Sequence, residues 1–492
     1  MTSRSRSWIC CCCWFLLLLQ TGCDLLPKEP YQRRCRQHRD CPTTRPVCNQ
    51  EGRCDRCTGY PTELAEDACK DHGGKLCANE EFDEPGACVV CRAAGDCAAG
   101  EGCWFGSCVR ACQRHSDCES SVCTWTSFPA AQAPRSTSTA PGLCVPAQSP
   151  FDEIIYVNNA APDCNARGQG TEQNPFCKVH EALVKIKERR QQAAAAQVKP
   201  ARRGVIKIAS SVLAYPAIDL PELGMAAPRE TPLLFIGGDS EASRPVVGNA
   251  PSGAAVRVGA GDDVLLEGLS LEGSERGLVC DGSGGNAKVR VLRSRIRTAS
   301  RMGVWAQRCT LGIERSLLSE NSDGAIWILD RVGYLITNNF IVKNSTSAGP
   351  LLSFDNDAQG IFRFNTVVNN NPGAAGTVDC GGLDRPLQDS IFVSNGLVRS
   401  TSSQMSGACQ LVNTVVDRSD DVPGGRKGTP RWVDGAPATA YLLRSDDPEN
   451  FLCCLDRASD LDSSFWTDYF GTARPQGSRA DVGAQEVMLP PP

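Results

Sequence analysis

A repeat of 22 to 26 residues in the C-terminal half of this 492-residue chain constrains its fold more than any other feature. Each copy has an apolar residue, two spacers, serine or asparagine, one spacer and a second apolar residue. VLRSRI at 291–296 and ITNNFI at 336–341 are examples. A second apolar run follows a glycine in each repeat, as in GVWA at 303–306. The serine or asparagine positions are Ser294, Ser316, Asn339, Asn365, Ser390 and Asn413, with Leu269 in the slot one repeat earlier.

A repeat of this length has room for two or three short strands and no helix. One unit cannot bury its apolar face alone, whereas stacked units form a continuous core. Successive coils lie about 4.8 Å apart, so equivalent serine and asparagine side chains form ladders. The repeat therefore predicts an all-β fold, a right-handed parallel β-helix over residues 152–488. A helix over 179–187, with one apolar face, is expected to cover the N-terminal end of the stack.

The N-terminus carries an export pattern. Arg4 and Arg6 precede an unbroken apolar stretch over 8–19. As a helix this stretch is about 18 Å long, too short to cross a hydrocarbon core of about 30 Å. The pattern is typical of a signal peptide.

The apolar stretch ends at Thr21, Gly22 and Cys23, which resemble the lipobox of bacterial lipoproteins. That resemblance implies a signal peptide over 1–22, lipidation of Cys23 and a polar tether over 23–34. The alternative is an ordinary cleaved signal that leaves Cys23 to join a disulfide.

The cysteine count supports an oxidising compartment. Of the 29 cysteines, 24 remain once residues 1–22 and Cys23 are set aside. Sixteen lie between Cys35 and Cys144, and eight lie between Cys164 and Cys454. Both numbers are even, as expected when each segment closes its own disulfides.

Residues 35–148 form a cysteine-rich module in which C-x4-D-C recurs. Few apolar residues are available for a core, so disulfides must hold the fold. Zinc is the competing interpretation, because Cys54 and Cys57 have ligand-like spacing. The repeats resemble the dickkopf-like modules of exported myxobacterial proteins, which implies a stalk or an interaction role. The four-cysteine units are Cys35, Cys41, Cys48, Cys54; Cys57, Cys69, Cys77, Cys88; Cys91, Cys97, Cys103, Cys108; and Cys112, Cys118, Cys123, Cys144.

The ends of the repeat region resemble those of pectin-lyase-like β-helix proteins of bacterial surfaces. The opening at 155–183, WVDG at 432–435 and RPQGSRADVGAQE at 474–486 carry the resemblance. It implies the fold and not one activity, because this fold serves lyases, hydrolases, adhesins and spacers.

Six cysteines of the repeat region form candidate disulfides. The spacing of Cys280 and Cys309 equals that of Cys380 and Cys409, close to one coil plus a small loop, so each pair could join neighbouring coils. Cys164 and Cys177 could staple the loop before the predicted helix. The adjacent Cys453 and Cys454 are left without an assigned partner.

One row of residues is a candidate for catalysis. Alignment of the second apolar runs places Arg308, Asp330, Asp355 and Asp379 at similar coil positions. Carboxylates on adjacent coils would lie roughly 5 Å apart, a separation that suits a retaining glycosidase. The same cluster could hold calcium instead. In a third interpretation, each aspartate only caps a turn.

Other observations weigh against an enzyme. No segment resembles the arginine-proline-arginine run of pectate lyases or the paired-aspartate motifs of polygalacturonases, and none of the four histidines is an obvious acid-base partner. Trp305 and Trp327, one repeat apart, could form a sugar platform or belong to the core. The net charge of −5 argues against nucleic acid as a partner.

The sequence therefore predicts a lipid-anchored protein of the bacterial envelope, in the outer membrane, facing the periplasm or the surface. The favoured function is non-enzymatic binding of a polysaccharide or another surface component, with no obligate cofactor. A polysaccharide lyase or glycoside hydrolase that uses the aspartate row is the alternative, and a passive spacer is a third.

Overall fold

In the computed structural model, the chain forms two compact units. One comprises Met1–Cys112 and Ser127–Cys144, and the other comprises Gln113–Thr126 and Val145–Pro492. The structure describes residues 37–41, 46–49, 53–57, 67–70, 76–77, 88–90, 97–98, 101–104, 107–112, 121–124, 142–146, 152–162, 164, 168–195, 203–223, 233–238, 240–249, 252–347, 349–373, 376–395, 404–417, 424–433, 441–459, 468–470, 472 and 474–487.

The first unit consists of short antiparallel pairs held by disulfides. Bridges join Cys41 to Cys54, Cys57 to Cys77 and Cys97 to Cys108, each within one predicted four-cysteine unit. Cys54 and Cys57 belong to different bridges, so the disulfide interpretation is confirmed and zinc at this pair is excluded. The paired strands are β1 (Val47–Cys48) with β2 (Cys54–Asp55), β3 (Leu76–Cys77) with β4 (Cys88–Val89), and β5 (Glu101–Trp104) with β6 (Ser107–Cys112), which also pairs with β8 (Gly142–Pro146).

The second unit is a parallel β-helix, which confirms the predicted fold class. β7 (Ser121–Thr124) precedes β8 in the chain. From Arg203 onward, the chain passes repeatedly through three parallel sheets in the order sheet 1, sheet 2, sheet 3. Sheet 1 contains β9 (Asp152–Val157), β10 (Arg203–Ile208), β13 (Leu233–Ile236), β16 (Asp263–Glu267), β19 (Ala287–Leu292), β22 (Cys309–Glu314), β25 (Gly333–Thr337), β28 (Gln359–Arg363), β31 (Arg385–Gln388) and β34 (Cys409–Val412).

Sheets 2 and 3 have shorter strands. Sheet 2 contains β11 (Tyr215–Pro216), β14 (Val246–Gly248), β17 (Ser270–Glu272), β20 (Arg295–Arg297), β23 (Leu317–Ser319), β26 (Phe340–Val342), β29 (Thr366–Val368), β32 (Ile391–Val393), β35 (Val415–Val416) and β36 (Arg426–Lys427). Sheet 3 contains β12 (Ile218–Asp219), β15 (Ala254–Val258), β18 (Arg276–Asp281), β21 (Val304–Gln307), β24 (Ile326–Ile328), β27 (Leu352–Phe354), β30 (Val378–Asp379) and β33 (Met405–Ser406).

Alternation along the strands builds the core between the sheets. In β21, for example, Val304 and Ala306 are buried in the core while Trp305 and Gln307 point outward and are half-buried. The predicted apolar runs are thus the inward residues of successive coils, stacked in register.

The predicted helix is present and joins the N-terminal end of this core. It is α1 (Val179–Ala195), and its buried face is Val179, Ala182, Leu183 and Ile186. It packs against β9 and β10, the first two strands of sheet 1. The other helices are α2 (Leu220–Leu223) and α3 (Pro448–Cys453), with 3-10 turns at His38–Asp40 and Glu241–Ser243. Among the described residues, no helix has the length and apolar character needed to cross a membrane.

The C-terminal segment covers the outward face of sheet 2. We call the described residues of 424–487 the clasp. Its apolar residues, among them Leu443, Leu455 and Val482, pack against Phe340 and Ile391 of the sheet in a core of their own. The predicted C-terminal finish at 474–486 lies in this clasp.

Candidate functional site

The outward face of sheet 3 carries the candidate site. Strand register stacks one outward residue from each coil in a single column. Two tryptophans on adjacent coils lie at the centre of this column, and the three residues on the coils after them are polar. From the N-terminal end the column is Asp219, Arg257, Val279, Trp305, Trp327, Ser353, Asp379 and Ser406.

The two indoles are half-buried and differ in their surroundings. Trp327 donates from Nε1 to the carbonyl oxygen of Pro350 at 3.2 Å. A Cβ at Gly324 or Gly349 would come within 2.8 Å of this ring, so only glycine leaves room for it. Trp305 lies next to the Arg276 guanidinium, whose carbon is 6.0 Å from the ring centroid. Backbone contacts thus fix the position of the Trp327 ring, whereas the Trp305 ring lies beside a charged side chain.

The predicted Arg308 and Asp330 meet at the corner between sheet 3 and sheet 1. Arg308 Nε donates to Asp330 Oδ2 at 2.5 Å, and the Arg308 amide donates to the Asp330 carbonyl at 2.7 Å. Arg331 Nε lies 3.6 Å from Asp330 Oδ1. The Asp330 carboxylate therefore faces two guanidinium groups.

Asp355 and Asp379 each accept hydrogen bonds from nearby backbone. Asp355 Oδ1 accepts from the Asn356 amide at 2.7 Å, and Asp379 Oδ1 accepts from the Gly381 amide at 3.1 Å. Both contacts stabilise the turn that follows the strand, as the turn-capping interpretation expects.

The four residues do not share one coil position, which corrects the alignment drawn from spacing. Arg308 and Asp330 each follow a paired strand residue by two positions, and Asp355 follows Phe354 by one. Asp379 lies on its strand and pairs with Ser353. Loop length between coils varies, so similar sequence steps do not guarantee equal register. Asp379 is consequently grouped with the tryptophan column rather than with Asp330.

A buried arginine, which sequence reasoning missed, organises the same corner. Arg385 Nε donates to the Cys380 carbonyl at 2.7 Å, and its other nitrogens donate to the carbonyls of Ala358 and Asp355. Its guanidinium carbon lies 5.7 Å from the centroid of the Phe354 ring. An arginine at a strand start gives no sequence signal for such a role.

Disulfides join coils at this corner. The structure pairs Cys280 with Cys309 and Cys380 with Cys409, in both cases from the end of a sheet 3 strand to the start of a sheet 1 strand. Cys164 is bonded to Cys177 before α1. Cys453 and Cys454 are bonded to each other at the end of α3, with Cα atoms 3.7 Å apart.

Two ladders hold the other corners. In the predicted ladder, the backbone amide of each residue donates to the next side chain, as Ser316 does to Asn339 Oδ1 at 2.9 Å. The last rung is Thr414 and not Asn413, since the Ser390 amide donates to Thr414 Oγ1. A second ladder, of Asn321, Asn344, Asn370 and Asn395, was missed. Its spacing follows the same repeat, which is the signal that could have found it.

Metal-binding geometry is not found in the part of the chain that the structure describes. There, no three side chains among histidine, cysteine, aspartate and glutamate group closely enough to hold an ion. The predicted lipidation residue, Cys23, lies outside the described residues.

Comparisons with known proteins find similarity to solved structures only at low identity. No protein-family model and no curated protein matches it. The solved structure of pectate lyase Pel9A aligns with 68% of this chain and 96% of its own at 14% identity and a TM-score of 0.30. The GH136 lacto-N-biosidase from Eubacterium ramulus aligns with 56% of this chain and 65% of its own, at 11% identity and a TM-score of 0.27.

Proposed function

We propose that this chain is an exported protein, anchored in the bacterial outer membrane through a lipid on Cys23, that binds a polysaccharide without cleaving it. The short apolar leader, the residues before Cys23 and the disulfides of both units support export and anchoring. The cysteine-rich unit serves as a stalk.

The observation that carries the binding proposal is the sheet 3 column. Trp305 and Trp327 occupy adjacent coils about 4.8 Å apart, with half-buried rings on an outward face. Aromatic faces pack against the apolar faces of sugar rings, while neighbouring hydroxyl and carboxylate groups bond sugar hydroxyls. Ser353, Asp379 and Ser406 supply those groups on the next three coils.

The arrangement of the aspartate row supports a binding role rather than a catalytic one. A general acid and its partner carboxylate must face the same bond of the substrate. Asp330 faces Arg308 and Arg331, and Asp355 and Asp379 lie at coil positions that differ from that of Asp330. The row therefore does not align as a carboxylate pair, and Asp379 belongs to the sheet 3 column. A calcium ion bridging the row to an acidic polysaccharide stays a prediction, which repeating the binding assay with a chelator would test.

The experiment is co-sedimentation of the full chain with a panel of insoluble neutral and acidic polysaccharides. We expect Trp305→Ala to weaken binding at least tenfold and Trp305→Phe to retain most of it, because the ring face makes the contact. The matched control is Thr310→Ala, an exposed position on the outward face of sheet 1. If the Trp305→Ala variant binds as tightly as the wild type, sheet 3 is not the binding face.

A further inference from the structure

A network of charged side chains borders the tryptophan column at the corner between sheets 2 and 3. Glu275 lies at its centre, where Oε1 accepts from Arg301 Nη1 at 3.1 Å and is 3.5 Å from Arg276 Nη2. Glu275 Oε2 accepts from the Gly253 amide at 3.2 Å. The Arg276 guanidinium carbon lies 6.0 Å from the centroid of the Trp305 ring. One carboxylate thus holds two guanidinium groups at the side of an indole.

Backbone hydrogen bonds fix the three successive coils that carry this network. The Arg276 amide donates to the Gly253 carbonyl at 2.9 Å, and the Arg301 amide donates to the Glu275 carbonyl at 2.9 Å. The Gly253 amide first, and the Arg301 guanidinium second, lower the pKa of Glu275 below its ordinary value, so its negative charge persists at mildly acidic pH. The two arginines are therefore positioned before a ligand arrives, which lowers the entropic cost of binding.

The guanidinium groups near Trp305 are more exposed than the carboxylates that hold them. The exposed fraction of the side chain is 50% for Arg301 and 26% for Glu275. At the opposite corner, between sheet 3 and sheet 1, it is 46% for Arg308 and 25% for Asp330. A molecule that approaches the indole therefore meets N–H donors first and carboxylate oxygens only behind them.

The same asymmetry holds for every ion pair that flanks this end of the column. The arginine is the more exposed partner in each, although Arg276 exceeds Glu275 only by 27% to 26%. At equal charge, the nearer group dominates the interaction with an incoming ion. The flanking charges are Arg257 with Asp219, Arg276 and Arg301 with Glu275, Arg301 with Asp323, Arg308 and Arg331 with Asp330, and Asp281, which accepts from the Ser283 hydroxyl.

The other end of the column favours neutral or positive groups. Ser353, Asp379 and Ser406 follow the tryptophans, and Asp355 lies exposed at the neighbouring corner. The arginine of that corner, Arg385, is buried and donates to backbone carbonyls. A negative group on a ligand is therefore expected at the Trp305 end.

We propose that the ligand is an acidic polysaccharide, whose carboxylate or sulfate group binds Arg276 and Arg301 while the sugar that carries it packs on Trp305. This inference rests on the proposed function, because it assigns the ligand class of the same face. Both anionic groups present paired oxygens, which the planar fork of a guanidinium accepts through two N–H donors. The contact is direct, so it does not depend on a bridging cation.

Binding of the full chain to matched pairs of immobilised probes tests the ligand class. The pairs are alginate with carboxyl-reduced alginate and dextran sulfate with dextran, measured by biolayer interferometry with a chelator present. We expect at least tenfold tighter binding to one acidic probe than to its neutral partner. Preference for alginate identifies a carboxylate, and preference for dextran sulfate identifies a sulfate ester. No preference within either pair would overturn the inference.

Three variants assign the preference to the arginine beside the indole. Arg276→Gln should reduce it about tenfold and leave affinity for the neutral partner unchanged, whereas Arg276→Lys should keep part of it, because the charge remains without the fork. Arg444→Gln is the matched control, since it removes the same charge from an exposed ion pair with Asp446 in the clasp. A preference that survives Arg276→Gln, or that falls equally in Arg444→Gln, would contradict the assignment.

The binding face and the ligand class fail separately in these measurements. Binding to all probes that persists unchanged in Trp305→Ala contradicts the binding face itself. Binding that Trp305→Ala weakens, but that shows no acidic preference in the wild type, contradicts only the ligand class. Acidic preference that both Trp305→Ala and Arg276→Gln abolish supports the two proposals together.

Discussion

At the scale of single residues, the ladders explain how sharp corners are tolerated. The residue before each rung of the first ladder has positive φ, with Arg293 at 47°, Asn338 at 57° and Phe364 at 56°. That conformation costs a side chain of this kind roughly 1–3 kcal/mol. The buried rung beside it supplies hydrogen bonds to the coils above and below, which offset the strain.

Replacing one rung should therefore destabilise the β-helix. Asn339 donates from Nδ2 to the Ile313 carbonyl at 2.8 Å and accepts from the Ser316 amide. We expect Asn339→Ala to lower the free energy of unfolding by about 3 kcal/mol, because buried backbone groups lose their partners. Denaturant unfolding measures the change. The exposed Asn371 is the control, and Asn371→Ala should cost under about 0.5 kcal/mol. Equal losses in the two variants would show that burial of the rung is unimportant.

At the scale of elements, the sequence predicted the strands well where their spacing was regular. Leu269 does occupy a position of the first ladder, since its amide donates to Ser294 Oγ. The last residue of this ladder is Thr414, one position after the predicted Asn413, because the repeat is less regular where the coils end. The contacts of the clasp escaped prediction, since they join residues as far apart in sequence as Asn338 and Arg474. Sequence periodicity predicts contacts between neighbouring coils, but it does not predict contacts between a coil and the clasp.

The corner disulfides make an element-scale prediction. The Cys280–Cys309 bridge closes a loop of 29 residues between neighbouring coils. Loss of such a closure costs about 3.5 kcal/mol through the entropy of the unfolded chain. We expect the double variant Cys280→Ser with Cys309→Ser to lose that amount in denaturant unfolding. Gln307→Ala, at a half-buried position nearby, should change stability by under about 0.5 kcal/mol. An unchanged double variant would mean that the bridge does not form.

At the scale of the whole molecule, we propose that the chain combines an anchor, a stalk and a binding face. Disulfides hold the first unit, which has little apolar core, and also tie coils of the second. The β-helix confines its chemistry to surfaces because its interior is filled by stacked apolar side chains. Function must therefore be sought on an outward face, and sheet 3 carries the adjacent tryptophans.

Anchoring is testable on the intact cell. We expect Cys23→Ser to move the protein from the membrane to the soluble fraction, since removal of the lipidated residue removes the acyl chains. Cell fractionation followed by immunoblotting measures this. Cys35→Ser, the next cysteine along the chain, is the control and should stay with the membrane. A Cys23→Ser protein that sediments with membranes would refute the anchor.

Binding without cleavage can be tested by one assay that follows both events. The full chain is incubated with each polysaccharide that it sediments with, and bound protein, new reducing ends and unsaturated products are measured together. We expect bound protein and no products above the level without protein. Products that form with the wild type and disappear with Asp379→Asn or Asp355→Asn would contradict it and establish an enzyme.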